Sequence, residues 1–143
     1  MDLSKIKIDM DKANEGVWFD VDTETRLLIA RAGNEKFTKA LQKAMQPYLI
    51  KNRVKGLRDI DPKIAAGIIQ DVASRTVLLN WENLLDNGVE LPYNAENSLR
   101  LMRDPEYVEF QQMVAEYADM SEEFRTEAIQ EATKKPESSL DGN

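Results

Sequence analysis

Asp61-Pro62 opens the run that leaves this chain the fewest choices. Aspartate is a favoured helix N-cap, and proline fits the first helical position, where its missing N–H costs nothing. Behind them Ile64, Ala65, Ile68, Ile69, Val72, Ala73, Thr76 and Val77 recur at helical spacing. A stripe of that width faces a core along its whole length. The spacing predicts a central packing helix that starts at Pro62 and continues into Leu79 or Trp81.

Similar start signals divide the chain on either side. Asn34 is placed to cap a helix in which Phe37, Ala40, Leu41, Ala44, Met45 and Tyr48 share one face, with Pro47 at its end. Asn94 caps a second over residues 95–103, and Asp104-Pro105 precedes a third over 106–118. Ser121 caps a last helix, with Glu122 and Glu123 in its first turn and Lys134 and Lys135 in its final one, as the helix dipole favours. Residues 16–21 and 26–31, rich in β-branched and aromatic side chains, read as a β-hairpin. A lone hairpin is marginal in water, so its apolar face must lie on the helices or pair with another chain.

The expected fold is therefore mainly α: a compact domain of about five helices with a small N-terminal hairpin, α+β only by strict count. Residues 1–15 read as a weak or partner-dependent arm, residues 16–135 as a single domain, and residues 136–143, which have no period, as a disordered tail. At 143 residues one core is expected.

Absences narrow the chemistry. There is no cysteine and no histidine, which removes thiol nucleophiles, disulfides, most zinc sites and the commonest general base. No apolar run approaches the ~20 residues that span a bilayer, and the first residues lack the apolar core of a signal peptide, so a cytoplasmic protein without membrane contact is expected. The net charge is −7. Residues 26–63 nevertheless carry ten basic and three acidic side chains, whereas residues 86–143 carry five and fourteen. Complementary potentials of this kind steer association, and self-association is expected alongside the plainer reading of two solvated faces.

Asp20-Val21-Asp22-Thr23-Glu24 has oxygen donors on alternate residues, but Thr25 and Arg31 stand where a calcium loop needs glycine and glutamate, which leaves a solvated turn. Clustered carboxylates among Asp59, Asp61, Asp71 and Glu82 are what a small hydrolase or metal-dependent enzyme would use, yet they fall on caps and polar helix faces with no base and orienting partner. Lys51, Arg53, Lys55, Arg58 and Lys63 form a basic stretch, but no aromatic is interleaved for stacking on bases, so nucleic acid is not the expected partner. No glycine-rich phosphate loop is present, and neither a cofactor nor a metal is expected.

Residues 77–99 are the most specific stretch. Asp86-Asn87-Gly88 marks a turn, Pro92 stops any helix, and the order of parts reads helix, tryptophan, turn, proline-tyrosine, helix. Trp81 joins a large apolar surface to an N–H donor, as interface hot spots do. Leu84, Leu85, Val89, Leu91 and Tyr93 lie in a turn-rich segment where apolar side chains are harder to bury. These six are the candidate partner-binding residues, with a core role open for each.

Leu79-Asn80-Trp81-Glu82, Asn87-Gly88, Leu91-Pro92-Tyr93-Asn94 and Glu96-Asn97-Ser98-Leu99 together resemble the central signature of tail assembly chaperones from long-tailed bacteriophages. Gly16-Val17-Trp18, Leu28-Ile29-Ala30-Arg31 and Asn34-Glu35-Lys36-Phe37 are similar to the opening of the same family. The resemblance implies a helical protein, not an enzyme, that binds the tape-measure protein, keeps it soluble and helps recruit tail tube subunits. It would act in the host cytoplasm and be absent from the mature virion. A longer frameshifted form is common in that family, and Lys134-Lys135 is compatible with a slippery codon run or with a plain stop. The alternatives are the carboxylate enzyme and a nucleic-acid-associated phage adaptor.

Overall fold

The computed structural model describes residues 1–51 and 56–126. Its elements run α1 (Met10–Glu15), β1 (Val17–Asp20), β2 (Arg26–Ile29), α2 (Glu35–Lys51), α3 (Pro62–Thr76), β3 (Leu78–Glu82), β4 (Leu85–Asp86), β5 (Val89–Glu90), α4 (Ala95–Arg103) and α5 (Val108–Ala118), with 3-10 turns at Leu3–Ile6, Leu57–Asp59, Pro105–Tyr107 and Ser121–Phe124.

The start signals hold where they are local. Asn34 Oδ1 accepts the N–H of Phe37, Asp61 that of Lys63, and Asn94 that of Asn97. Helix α2 runs past Pro47 to Lys51 rather than ending there. The amide that Pro47 lacks costs one helical hydrogen bond, and that end of α2 is largely exposed.

The expectation of a mainly α fold is corrected: the molecule is mixed α+β, with two sheets formed by five strands among the described residues. Residues 78–82, expected to prolong the central helix, form β3. This strand pairs antiparallel with β2, which pairs with β1, giving a three-stranded sheet in the order β1-β2-β3. Helix α3 stops at the β-branched pair Thr76-Val77, and the chain turns directly back onto the sheet. The helix-like signal has a specific cause. Leu78 and Trp81 are both buried although three residues apart, because a bulge shifts the register from Leu28↔Asn80 to Ile29↔Leu78 and leaves Leu79 as the extra residue.

The core gathers Phe19, Leu27, Ile29, Leu78 and Trp81 from the sheet with Leu101, Met102, Val114, Ala118 and Phe124 from the later elements. Phe19 stacks on Tyr117 with centroids 4.5 Å apart. Helix α3 packs against α2, α4 and β3. Its burial is nevertheless concentrated at its C-terminal end, at Val72, Ser74 and Thr76, whereas Ile64 and Ile69 are 43% and 39% exposed. The two buried hydroxyls cost little, since Ser74 Oγ donates to the Asp71 carbonyl and Thr76 Oγ1 to that of Val72.

Residues 1–15, expected as an arm, lie against the domain. Ile8 forms an antiparallel bridge with Arg125, the amide of Asp9 donates to the Phe124 carbonyl, and Lys12 Nζ donates to the Arg125 carbonyl. The same contacts stop the segment after Ser121 from continuing as a helix: Phe124 is buried against Phe19 and Arg125 is extended. The remainder of that expected helix and the tail lie outside the described residues. Gly16 joins α1 to β1 at φ +93°, where a Cβ would come within 3.1 Å of the Leu28 and Leu79 side chains.

Candidate functional site

The segment between Trp81 and Tyr93 is a second, smaller hairpin. Asn87 and Gly88 sit at φ 54° and 79°, the left-handed pair that a type I′ turn requires and that matches the twist of the flanking strands. β4 and β5 pair as Leu85↔Glu90 and Asp86↔Val89.

The rest of the segment holds this hairpin to the sheet. The indole Nε1 of Trp81 donates to the Leu91 carbonyl at 2.7 Å, the Leu91 amide donates to the Leu84 carbonyl, and the Tyr93 hydroxyl donates to the Leu78 carbonyl at 2.7 Å. The Trp81 and Tyr93 rings meet edge to face with centroids 4.8 Å apart. Burial raises the Tyr93 pKa, offset only in part by the neighbouring Ser98 hydroxyl. On the far side Asp86 meets Arg100 at 3.6 Å and accepts from the Tyr107 hydroxyl at 3.4 Å. The guanidinium of Arg100 also donates to that hydroxyl, and this bond is the main reason its pKa is raised. Asn83, at φ 58°, donates to the Glu24 carbonyl and accepts from Thr25 Oγ1, so the base of the second hairpin is tied to the turn of the first.

The six candidate partner-binding residues separate by role. Trp81 is 5% exposed and works as an anchor. Leu84, Leu91 and Tyr93 are half-buried against the core. Leu85 and Val89 are 59% and 68% exposed. Cross-strand partners point to the same side of a ribbon, so the pairing puts Leu85 with Glu90 on one face and Val89 with Asp86 on the other. The hairpin thus offers one aliphatic side chain on each face rather than a single patch.

A second apolar surface, invisible in the sequence because its residues span 32–119, lies between α3 and α5. Both helices pack on α4, and beside it a groove of about 370 Å³ remains. Phe37, Ile69, Ala73, Met102, Val114 and Ala115 line it, and among the described residues Asp119 is the one charged side chain in its lining.

The four carboxylates of the enzyme reading are not brought together into a site. Asp61 caps α3, Asp71 pairs with Arg75, and Glu82 pairs with Arg26, whose guanidinium also lies 4.3 Å from the Trp18 ring centroid. Among the described residues no group of three or more acids is placed to hold a metal ion. The turn at 20–25 is closed by Asp22, which accepts the amides of Thr25 and Glu24; these bonds lower its pKa. Part of the basic stretch at 51–58 lies outside the described residues. No described helix is long and apolar enough to cross a membrane.

A small α+β scaffold that presents a pinned hairpin and an open apolar groove is what these observations define. Residues 32–135, about seven-tenths of the chain, match the family described as YdaY prophage protein, and the chain belongs to that family. No curated protein and no solved structure matches it. The matched region takes in the hairpin, its anchors and the whole lining of the groove, but leaves out β1 and β2.

Proposed function

We propose that this prophage protein is a tail assembly chaperone that binds the tape-measure protein, keeps it soluble and helps recruit tail tube subunits. It acts by binding, without a cofactor or a catalysed reaction, in the host cytoplasm, and leaves before the virion matures. The observation that carries this reading is the hairpin: Leu85 and Val89 are held in water on opposite faces of a ribbon whose backbone is fixed by Trp81 and Tyr93. Exposed aliphatic side chains on a rigid mount lose little entropy when a partner covers them. One on each face suits a wedge between two amphipathic client helices, whose apolar stripes would otherwise meet those of other copies. Membership of a prophage family and the resemblance of residues 77–99 to the chaperone signature support the same reading.

The test is co-expression with the tape-measure gene of the same prophage, followed by affinity purification through a tag on that protein. The chain should co-purify in a defined ratio from the soluble fraction. A tape-measure protein that is equally soluble alone and retains none of the chain would refute the proposal.

A further inference from the structure

The three-stranded sheet has an edge at β3 and an edge at β1, and the chain treats them differently. On β3 the Trp81 amide donates to Asn80 Oδ1 at 2.8 Å, and the Leu78 carbonyl accepts the Tyr93 hydroxyl. On β1 the hairpin fixes which way each residue faces. The Val21 amide donates to the Thr25 carbonyl, so Val17 and Phe19, in the same alternation, face β2. Trp18 and Asp20 therefore turn their N–H and C=O groups outward, and among the described residues no other backbone group bonds to them. An open row of this kind is a template for another strand.

We infer that the β1 edge pairs with the β1 edge of a second copy, antiparallel across a two-fold axis, so that the two sheets become one continuous sheet; the inference goes beyond the chaperone reading and does not depend on it. Antiparallel pairing of a strand with itself is the isologous contact that a two-fold axis requires. Three registers are open to it, and the residues choose among them. Trp18 opposite Trp18 would set Asp20 against Gly16, whose amide is already given to the Lys12 carbonyl at φ +93°. Asp20 opposite Asp20 would bring two carboxylates together and set Trp18 against Asp22, which closes the hairpin turn. Trp18 opposite Asp20 uses both outward residues of each copy and places Phe19 on the axis.

Charge favours a second copy in that same register. Cross-strand partners share a face, so Asp20 of one copy lands beside the Trp18 ring of the other, and that ring carries the Arg26 guanidinium 4.3 Å from its centroid. Asp20 is exposed. Each copy thus brings an anion to the place where the other holds a cation. So short a strand buries less than the ~1,200 Å² of a standard interface, which makes the association weak and dependent on concentration.

The test uses the full chain. Sedimentation velocity from micromolar to millimolar concentration should show monomer passing into dimer. Over the same range, NMR amide exchange should slow several-fold at Trp18 and Asp20 and stay constant at Phe19, which is already bonded to β2. Asp20→Pro removes an outward N–H at an edge position, where proline is tolerated, and should keep a folded chain monomeric. The chain has no cysteine, so mixing a Trp18→Cys variant with an Asp20→Cys variant reads the register. Hydrogen-bonded partners lie about 5.5 Å apart between Cα atoms, within disulfide range, and oxidation should join unlike variants in preference to like ones. A chain that stays monomeric at every concentration overturns the inference, as does dimerisation that a folded Asp20→Pro variant leaves unchanged. If that variant does not fold, the wild-type exchange pattern decides: a dimer with Trp18 and Asp20 exchanging as fast as in the monomer is held together elsewhere.

Discussion

The indole N–H of Trp81 reaches across ten residues to the carbonyl of Leu91 at 2.7 Å, and through that bond the small hairpin is fastened to the three-stranded sheet. Removing the donor leaves a half-buried carbonyl unpaired. Trp81→Phe should therefore cost about 1–3 kcal/mol for the orphaned group, with a further loss from the smaller ring. Tyr93→Phe should cost about 1–2 kcal/mol. Because the two rings touch, the double variant should be non-additive by at least ~0.5 kcal/mol in urea unfolding.

Stability should fall in alkali through Tyr93. Its pKa is raised above the ordinary 10.0, chiefly by burial, so the neutral phenol is favoured in the folded state. A group with a raised folded pKa contributes stability that is fully present below its unfolded value and is lost as pH rises through the folded one. Tm should begin to drop as pH passes about 10, more steeply in wild type than in Tyr93→Phe. Tyr117, raised by burial and then by Asp20 and Glu116, adds to the wild-type slope and remains in the variant as an internal reference.

Asn34 is buried and spends both ends of its amide. Oδ1 accepts the Phe37 amide, while Nδ2 donates to the carbonyls of Arg31 and Thr76. It therefore joins the end of β2, the start of α2 and the end of α3. Asn34→Ala should cost about 2–4 kcal/mol, a cap plus unpaired carbonyls. Asn34→Asp keeps the cap but loses both donations and sets a carboxylate against two carbonyls, so thermal melts should rank it no better than alanine.

Helix α3 gives a sharper contrast. Val72 is fully buried and Ile69 stands at the rim of the groove. Val72→Asp should prevent folding or cost several kcal/mol, whereas Ile69→Asp should leave the melt within about 1 kcal/mol. A chain that melts equally low with either change would contradict the observed orientation of α3.

What the sequence made legible were features written in neighbouring residues: the caps at Asn34, Asp61 and Asn94, the first hairpin, and the turn at Asn87-Gly88. What it concealed depends on distant partners. Strand β3 passed for helix because the bulge at Leu79 spaces Leu78 and Trp81 three apart, a helical interval. The N-terminal helix looked like part of an arm because its anchors, the Phe124 and Arg125 carbonyls, lie more than a hundred residues away. The isoleucines of α3 read as core from their periodicity, yet Ile64 and Ile69 face outward and the helix is buried at its other end. At the candidate site the hairpin residues stood out, but their division into anchors and exposed tips follows from hydrogen bonds that composition does not reveal. The groove has no local signal.

The central claim is that a rigid hairpin presents Leu85 and Val89 to a tape-measure client. The most direct measurement is light scattering of a tape-measure fragment diluted from denaturant into wild type or into the Leu85→Ser, Val89→Ser double variant. Both side chains are mostly in water, so the variant should keep its Tm within a few degrees. Wild type should suppress scattering at near-stoichiometric ratio, and the variant should need several-fold more protein for the same effect. Equal suppression by an equally stable variant would contradict the account.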